Sequence, residues 1–308
     1  MIMKGLRIGT RTSRLARAQT GIVIEMLRTK FPALEIEVVP VTTMGDRLPD
    51  EKRAEVEGKG AFTEDLEALL QKGEVDAAVH SMKDLPTKLG GGLAIAATPV
   101  RADPRDALVS SHGLSLAEMP EGAVVGTSSI RRKAQLMALR SDIELVDLHG
   151  NVETRLRRMG ERGLDGIVLA AAGLRRLGEE GRITEYFSIE ELVPAPCQGT
   201  ISVEIRAGDR GVGAAMKAID DGDVRAVSTC ERSFATRLGG DCDLPAGFCA
   251  TKEGERMRLV GAILSPDGKS VVKETSFEDA ARPDEVGRRF AEKMLEMGGE
   301  AILERVMR

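Results

Sequence analysis

Short apolar runs that break abruptly into polar turns recur along this chain, and segments of helical spacing follow most of them. Leu6 to Thr10 reads as a first strand and Arg11-Thr12-Ser13 as its turn. A helix then runs to about Lys30, with Leu15, Ile22 and Met26 on one face and Ala16, Val23 and Leu27 beside them. Leu34, Ile36 and Val38 alternate with Glu35 and Glu37, the period of a half-buried strand. A helix near Thr63–Lys72 is placed to end on Gly73. Ala77-Ala78-Val79 has the length and character of a buried strand, and Leu93–Thr98 reads as another.

Pro99 to Pro104 marks a crossing into a second region. There Ala123–Thr127 leads into a helix over Ser129–Arg140, Ile143–Leu148 into a helix holding Arg155, Arg157 and Arg158, and Asp165–Ala170 into Arg175-Arg176. Strands alternating with helices at this spacing predict an α/β fold with parallel sheets and covering helices. Pro194-Ala195-Pro196 marks a second crossing, before a strand at Thr200–Ile205. The last third changes character. A helix over Val224 to Leu238 is capped by Asp223, two or three strands turn at Ser265 to Gly268, and Pro283 opens a final helix. That is the pattern of a small α+β domain.

Composition narrows the function. The 308 residues are enough for two or three domains. One Tyr, seven Phe and no Trp leave few platforms for stacking single-stranded nucleic acid. The net charge is −5, yet residues 126–182 hold eleven Lys/Arg against eight Asp/Glu, a local +3 that leaves −8 elsewhere. An acidic protein with one arginine-rich segment suits a small anion better than a nucleic-acid backbone. The N-terminus is too soon charged for a signal peptide, and no apolar stretch reaches membrane-spanning length. The four cysteines have no C-x-x-C spacing and form no zinc pattern with the three histidines, so no metal site and a cytoplasmic, reduced chain are expected.

Five strand ends share one pattern. Thr10 to Ser13, His80 to Asp84, Gly126 to Arg132, His149 to Arg155 and Ala170 to Arg176 each pass from an apolar strand into a polar turn carrying basic residues. Helix N-termini with hydroxyls and arginine forks select planar carboxylates or phosphates. The alternative for any one turn is an N-cap on a solvated face. Together the turns point to a small ligand with several carboxylates. Asp84 is the only acid well placed among these bases, a candidate for proton transfer or for stabilising a cation. His80 reads as structural support.

The polar stretch Asp46 to Gly60, with nine charged residues, reads as a lid. Cys242 lies in a Gly-rich loop between Asp241 and Asp243, whose charge disfavours a thiolate. Such a thiol suits a single reaction whose adduct is kept. Cys230, within the predicted helix, reads as a small buried hydrophobe.

At these residues the chain resembles hydroxymethylbilane synthases (porphobilinogen deaminases) over nearly its whole length. The motifs are Arg11 to Gln19, Val79 to Asp84, Asp103-Pro104-Arg105-Asp106, Gly126 to Arg132, Gly150 to Leu156, Ala171 to Gly178 and Gln198-Gly199. The resemblance implies two α/β lobes like those of periplasmic binding proteins, with the chain crossing between them twice, and a small α+β C-terminal domain. The implied boundaries are 1–99 completed by about 200–219, then 100–199, then 220–308. It implies a covalent dipyrromethane cofactor, held through a thioether to Cys242. The implied transferase condenses four porphobilinogen units with loss of ammonia, and water then frees hydroxymethylbilane for tetrapyrrole biosynthesis. Asp84 would be the catalytic group. Arg11, Ser13, Gln19, Asp46, Lys59, Ser81, Lys83, Thr127, Ser128, Ser129, Arg131, Arg132, His149, Gly150, Asn151, Arg155, Arg176 and Gln198 would bind cofactor and substrate. A monomer that binds neither nucleic acid nor membrane is implied. Three departures stand out: His149 where the family commonly has Arg, Glu55 where the lid often has Lys, and Cys197 where Gly usually precedes the Gln. The rival readings are a non-enzymatic anion-binding module and a nucleic-acid binder.

Overall fold

The computed structural model describes residues 5–48, 62–239 and 244–306. The chain begins with β1 (Gly5–Arg11), α1 (Arg14–Lys30), β2 (Glu35–Val41), α2 (Met44–Arg47), α3 (Glu64–Lys72), β3 (Ala77–Ser81) and β4 (Leu93–Arg101). It continues through β5 (Asp106–Ser110), β6 (Val124–Gly126), α4 (Ile130–Leu139), β7 (Glu144–Val146), α5 (Val152–Glu161), β8 (Gly166–Ala170), α6 (Ala171–Arg176) and β9 (Glu185–Tyr186). The remainder is β10 (Thr200–Arg206), α7 (Arg210–Lys217), α8 (Gly222–Arg237), β11 (Ala246–Glu253), β12 (Arg256–Leu264), β13 (Val271–Asp279), α9 (Pro283–Met294) and α10 (Glu300–Val306). These elements fall into two compact units, Met1–Ala102 with Gly199–Arg225, and Asp103–Gln198 with Ala226–Arg308.

The first unit is built on a five-stranded sheet of order β2-β1-β3-β10-β4. The period of two along β3 divides its core. Ala77 and Val79 join Leu6, Ile8, Val23 and Leu27 on the α1 face, whereas Ala78 joins Leu66, Leu70, Val75 and Leu93 on the α3 face. Each fully buried leucine here contributes roughly 1.5–3 kcal/mol. Ser13 caps α1 by accepting from the Ala16 amide, and Gly73 ends α3 in the left-handed conformation that spares it a Cβ penalty. The buried side of α1 is Ala16, Gln19, Thr20, Val23, Ile24 and Leu27, so Leu15, Ile22 and Met26 lie at its margin. In edge strand β2 the alternation holds, but its far end is left partly uncovered. Leu34 and Ile36 pack with the α1-face core, Val39 and Val41 with the α3-face core, and Val38 is left 43% exposed.

The second unit repeats the plan, with a five-stranded sheet of order β7-β6-β8-β5-β9. Neither sheet is purely parallel, contrary to the expectation from strand–helix alternation. β1 pairs in parallel with β2 and β3, and β6 with β7 and β8, but β10 is antiparallel to both neighbours and so is β5. β5 and β10 are the first strands after the chain changes unit at 102/103 and at 198/199. A strand arriving that way has no helical crossover to turn it parallel to its neighbour.

A three-stranded antiparallel sheet, β11-β12-β13, carries the C-terminal part. Its core centres on Phe234 stacked on Phe248, ring centroids 4.1 Å apart, with Phe290 beside them. Val260, Ala262 and Leu264 of β12 pack with Ala134 and Val193, joining this sheet to the rest of its unit. α8 is capped one turn-residue pair earlier than the sequence suggests: the Asp221 carboxylate accepts from the amides of Asp223 and Val224.

Candidate active site

In the first unit the strand ends of β1 and β3 open on one cleft. Arg11, Ser13, Gln19, Ser81 and Asp84 line it, with Phe62, Thr63 and His80. β3 carries its polar end because Ala77 to His80 are buried and the chain then makes a single tight turn, Met82–Asp84. That turn leaves Asp84 exposed and Lys83 half-buried. Gln19 reaches from the buried face of α1 to donate to Ser81 Oγ at 2.7 Å, so helix and strand end are tied at the cleft.

Arg11 is already oriented. Its Nε and a terminal nitrogen donate to the two oxygens of Asp46 at 3.1 and 2.5 Å, and its guanidinium lies 4.3 Å over the Phe62 ring. Burial works to raise the Asp46 carboxyl, but the Arg11 guanidinium and Thr43 hold it below the ordinary carboxylate range. Thus two residues expected to bind ligand hold each other. Phe62, the platform under the arginine, was not singled out by the sequence. An aromatic at the far edge of a long polar stretch was the available signal.

In the second unit the turns form as read. Ser129 caps α4 by accepting from Arg132 N, and Ser128 Oγ accepts from Leu148 N at 3.0 Å, joining the exits of β6 and β7. Thr127 is buried and its Oγ1 accepts from Ser129 N. Asn151 caps α5 through Thr154 N at 2.8 Å, and Arg155 Nε donates to Gly150 O at 2.7 Å. Gly150 has φ +114°, and a Cβ there would meet Thr154 at 2.8 Å, so the turn requires glycine. His149 lies 3.9 Å from Asp147 through Nε2. Arg176 is half-buried at the end of α6, and burial alone lowers its guanidinium to about 10.

Asp84 is not the only acid among these bases. Asp106, at the start of β5, is fully buried and takes Arg131 on one oxygen at 2.8 Å and Arg132 on the other at 2.7 Å. Gln198 Nε2 donates to the same carboxylate at 2.8 Å and to Pro104 O at 2.7 Å. Burial acts to raise Asp106, but the two guanidinium charges hold it far below the ordinary range. Arg131 also donates to Val193 O, and Arg132 to Val168 O. These side chains, expected at the ligand, build a buried ionic knot beneath their turn. Lys59 with the rest of the lid from 49 to 60, and Cys242 with its aspartate flanks, lie outside the described residues. Among the described residues no group of His, Cys, Asp and Glu is placed to hold a metal, and no helix is long and apolar enough to cross a membrane.

The donor set suits a dipyrromethane with carboxylate side chains. Such a group needs several cationic and hydroxyl donors together with an acid facing the pyrrole nitrogens. The cleft of the first unit supplies Ser13, Gln19 and Ser81 around Asp84. A carboxylate beside Arg176 would reverse the lowering that burial imposes on it.

Two mixed α/β sheets whose strand exits hold arginines and hydroxyls, with the exposed Asp84 in the cleft of the first, are the frame of an anion-binding α/β protein with the means for acid–base chemistry. A family profile described as the porphobilinogen deaminase dipyromethane cofactor binding domain matches residues 6–214, and the porphobilinogen deaminase C-terminal domain matches 226–296. The chain is 45% identical over 303 residues to the porphobilinogen deaminase of Syntrophotalea carbinolica, covering 98% of this chain and 96% of that one. It is 46% identical over 298 residues to that of Roseiflexus castenholzii, covering 97% and 98%. A loose likeness to the BvgS VFT2 domain of Bordetella pertussis has TM-score 0.41 at 15% identity, over 70% of this chain and 86% of that one. The chain belongs to the porphobilinogen deaminase family and is an enzyme.

Proposed function

We propose that this enzyme is a transferase of tetrapyrrole biosynthesis that joins porphobilinogen units head to tail, releases ammonia from each, and yields hydroxymethylbilane by final hydrolysis. The observation that carries this reading is an exposed carboxylate, Asp84, in a cleft whose lining includes Arg11, Ser13, Gln19 and Ser81. The bound dipyrromethane supplies the nucleophilic pyrrole carbon from which growth starts. Asp84 accepts from pyrrole N–H groups and stabilises the positive charge that develops as the aminomethyl nitrogen leaves with its bonding electrons. Ser13, Gln19 and Ser81 orient side-chain carboxylates in the first unit, and Arg155 and Arg176 do so in the second. Thr127, Ser128, Asn151 and Gly150 shape the turns that place them. Arg131, Arg132 and Gln198 act from beneath, through Asp106. Cys242 holds the cofactor by a thioether, Lys83 and Lys59 add cationic reach, and the protein works as a cytoplasmic monomer.

Intact mass and ammonia release test this together. Purified protein is expected to exceed its sequence mass by a dipyrromethane, and Cys242→Ser to lose that excess. Asp84→Asn is expected to keep the excess mass yet release ammonia from porphobilinogen at least about a hundredfold more slowly. Bare sequence mass in the wild type, or full ammonia release by Asp84→Asn, would remove the corresponding part of the proposal.

A further inference from the structure

β10 is an inner strand of the first sheet, yet Thr200, Ser202 and Glu204 along one of its faces are all buried. The hydroxyls of Thr200 and Ser202 and both Glu204 oxygens have no hydrogen-bond partner among the described residues. Packing alone would not place such groups there, because each loses its water without full replacement. Ser202 lies opposite His80 in the register and Glu204 opposite Ala78, so His80 and Glu204 share the α3 face. His80 Nε2 stands 3.3 Å from Glu204 Oε2, with side chains 3% and 0% exposed.

The remaining charged groups around the pair come from two directions. Glu67 of α3 faces it from the core, and burial first, then the Glu204 charge, raise the Glu67 carboxyl while His80 opposes. Arg11 and Asp84 share the cleft lining with His80 on the other side.

We infer that Glu204, acting through His80, is a positioning residue for Asp84, an inference that rests on the reaction proposed above. The strand end is gripped on both faces. Glu204 lies within ion-pair reach of His80 on the α3 face, Gln19 donates to Ser81 on the α1 face at 2.7 Å, and the turn Met82–Asp84 follows directly. With no play at residues 80 and 81, the Asp84 carboxylate keeps one position over the reacting carbon.

Glu204→Gln keeps the shape and removes the charge, so it separates positioning from packing. In the cofactor-loaded enzyme we expect its kcat to fall about tenfold or more with KM within about twofold, because a displaced acid slows chemistry more than binding. His80→Gln is expected to do the same, and the double variant no worse than either. Glu67→Gln is expected to leave kcat unchanged. Wild-type kcat in Glu204→Gln, multiplying losses in the double variant, or equal damage from Glu67→Gln would each overturn the inference. Nitrogen NMR of the wild-type imidazoles needs no variant to fold in the strand. The chain has three histidines, and His112→Gln and His149→Gln assign the other two signals. His80 is expected to show an Nε2–H signal protected from exchange by its carboxylate neighbour, and an Nε2 without a protected N–H signal overturns the pair. If the wild type released no ammonia from porphobilinogen, the reaction would fall while this measurement still decided the pair.

Discussion

Arg132 donates to Asp106 through Nε at 3.1 Å and a terminal nitrogen at 2.7 Å, and both residues are buried. Arg131 closes the other side of the same carboxylate. Two cations on one buried acid leave a net positive charge in the interior, so removing the acid strands both. Asp106→Asn is expected to cost about 3–5 kcal/mol, the penalty of breaking a buried pair. Denaturant unfolding at neutral pH measures it.

The pH dependence follows with a definite sign. The Asp106 carboxyl is held below its unfolded value by the two arginines, against burial. Below roughly pH 4, where free aspartates protonate, the unfolded chain binds a proton that the folded chain refuses. This stabilisation is therefore complete above that range and is lost progressively as pH falls through it. Unfolding free energies from pH 5 to pH 3 are expected to drop less steeply in Asp106→Asn than in the wild type. Parallel slopes would mean that the carboxyl titrates normally.

Why was this knot not legible in advance? Ser129, Arg131 and Arg132 announced themselves as a capped, basic helix start, since a cap and its first turn are local in sequence. Asp106 did not, because β5 earns its place by antiparallel pairing with β8, some sixty residues on (Asp106 opposite Ala170). A five-residue strand beside a proline-flanked crossing carries no periodic signal of its own. Glu204 was hidden for the opposite reason. It sits in a strand that alternates Thr200, Ser202 and Glu204 with Ile201, Val203 and Ile205, the pattern of one solvated face, yet both faces are buried and only the neighbours on β3 show what its carboxylate meets. The turns at the strand exits were readable and the acids beneath them were not, because an acid's role is set by what folds over it.

The Gly150 turn makes a sharper test of backbone geometry. Alanine there must hold φ +114° and push its Cβ into Thr154. Gly150→Ala is expected to destabilise the second unit by about 1–3 kcal/mol. It also shifts Arg155, whose Nε rests on the Gly150 carbonyl at 2.7 Å. A higher KM for porphobilinogen together with a lower melting temperature is the expected pair of results. Loss of stability with unchanged KM would free Arg155 from any part in binding.

Arg11 and Asp46 give a prediction about competition. Asp46 occupies the face of Arg11 that a ligand carboxylate would use, and it stays ionised to below the ordinary range. Arg11→Lys loses the fork that can serve two oxygens and is expected to raise KM about tenfold. Asp46→Asn removes the competing charge, so its KM is expected to fall or hold rather than rise. A rise in Asp46→Asn as large as that in Arg11→Lys would mean that the pair works as a preformed unit.

The cysteines separate a kept adduct from an idle thiol. Cys197, Cys230 and Cys249 are all buried thiols outside any disulfide. The Cys230 thiol is pushed up by burial first, then by the Glu231 charge and by Cys197, so almost none of it is thiolate near neutral pH. Only an accessible thiolate is alkylated at a useful rate, so iodoacetamide is expected to leave these three buried thiols unlabelled in the native protein. Denaturation exposes them all. Of the four cysteines in the sequence, three are then expected to label, because a thioether at Cys242 leaves no thiol there to react. Mass spectrometry of the denatured, alkylated chain counts the labels directly. A fourth label would place a free thiol at Cys242 and end the case for a cofactor attached through it, whatever the activity of the preparation.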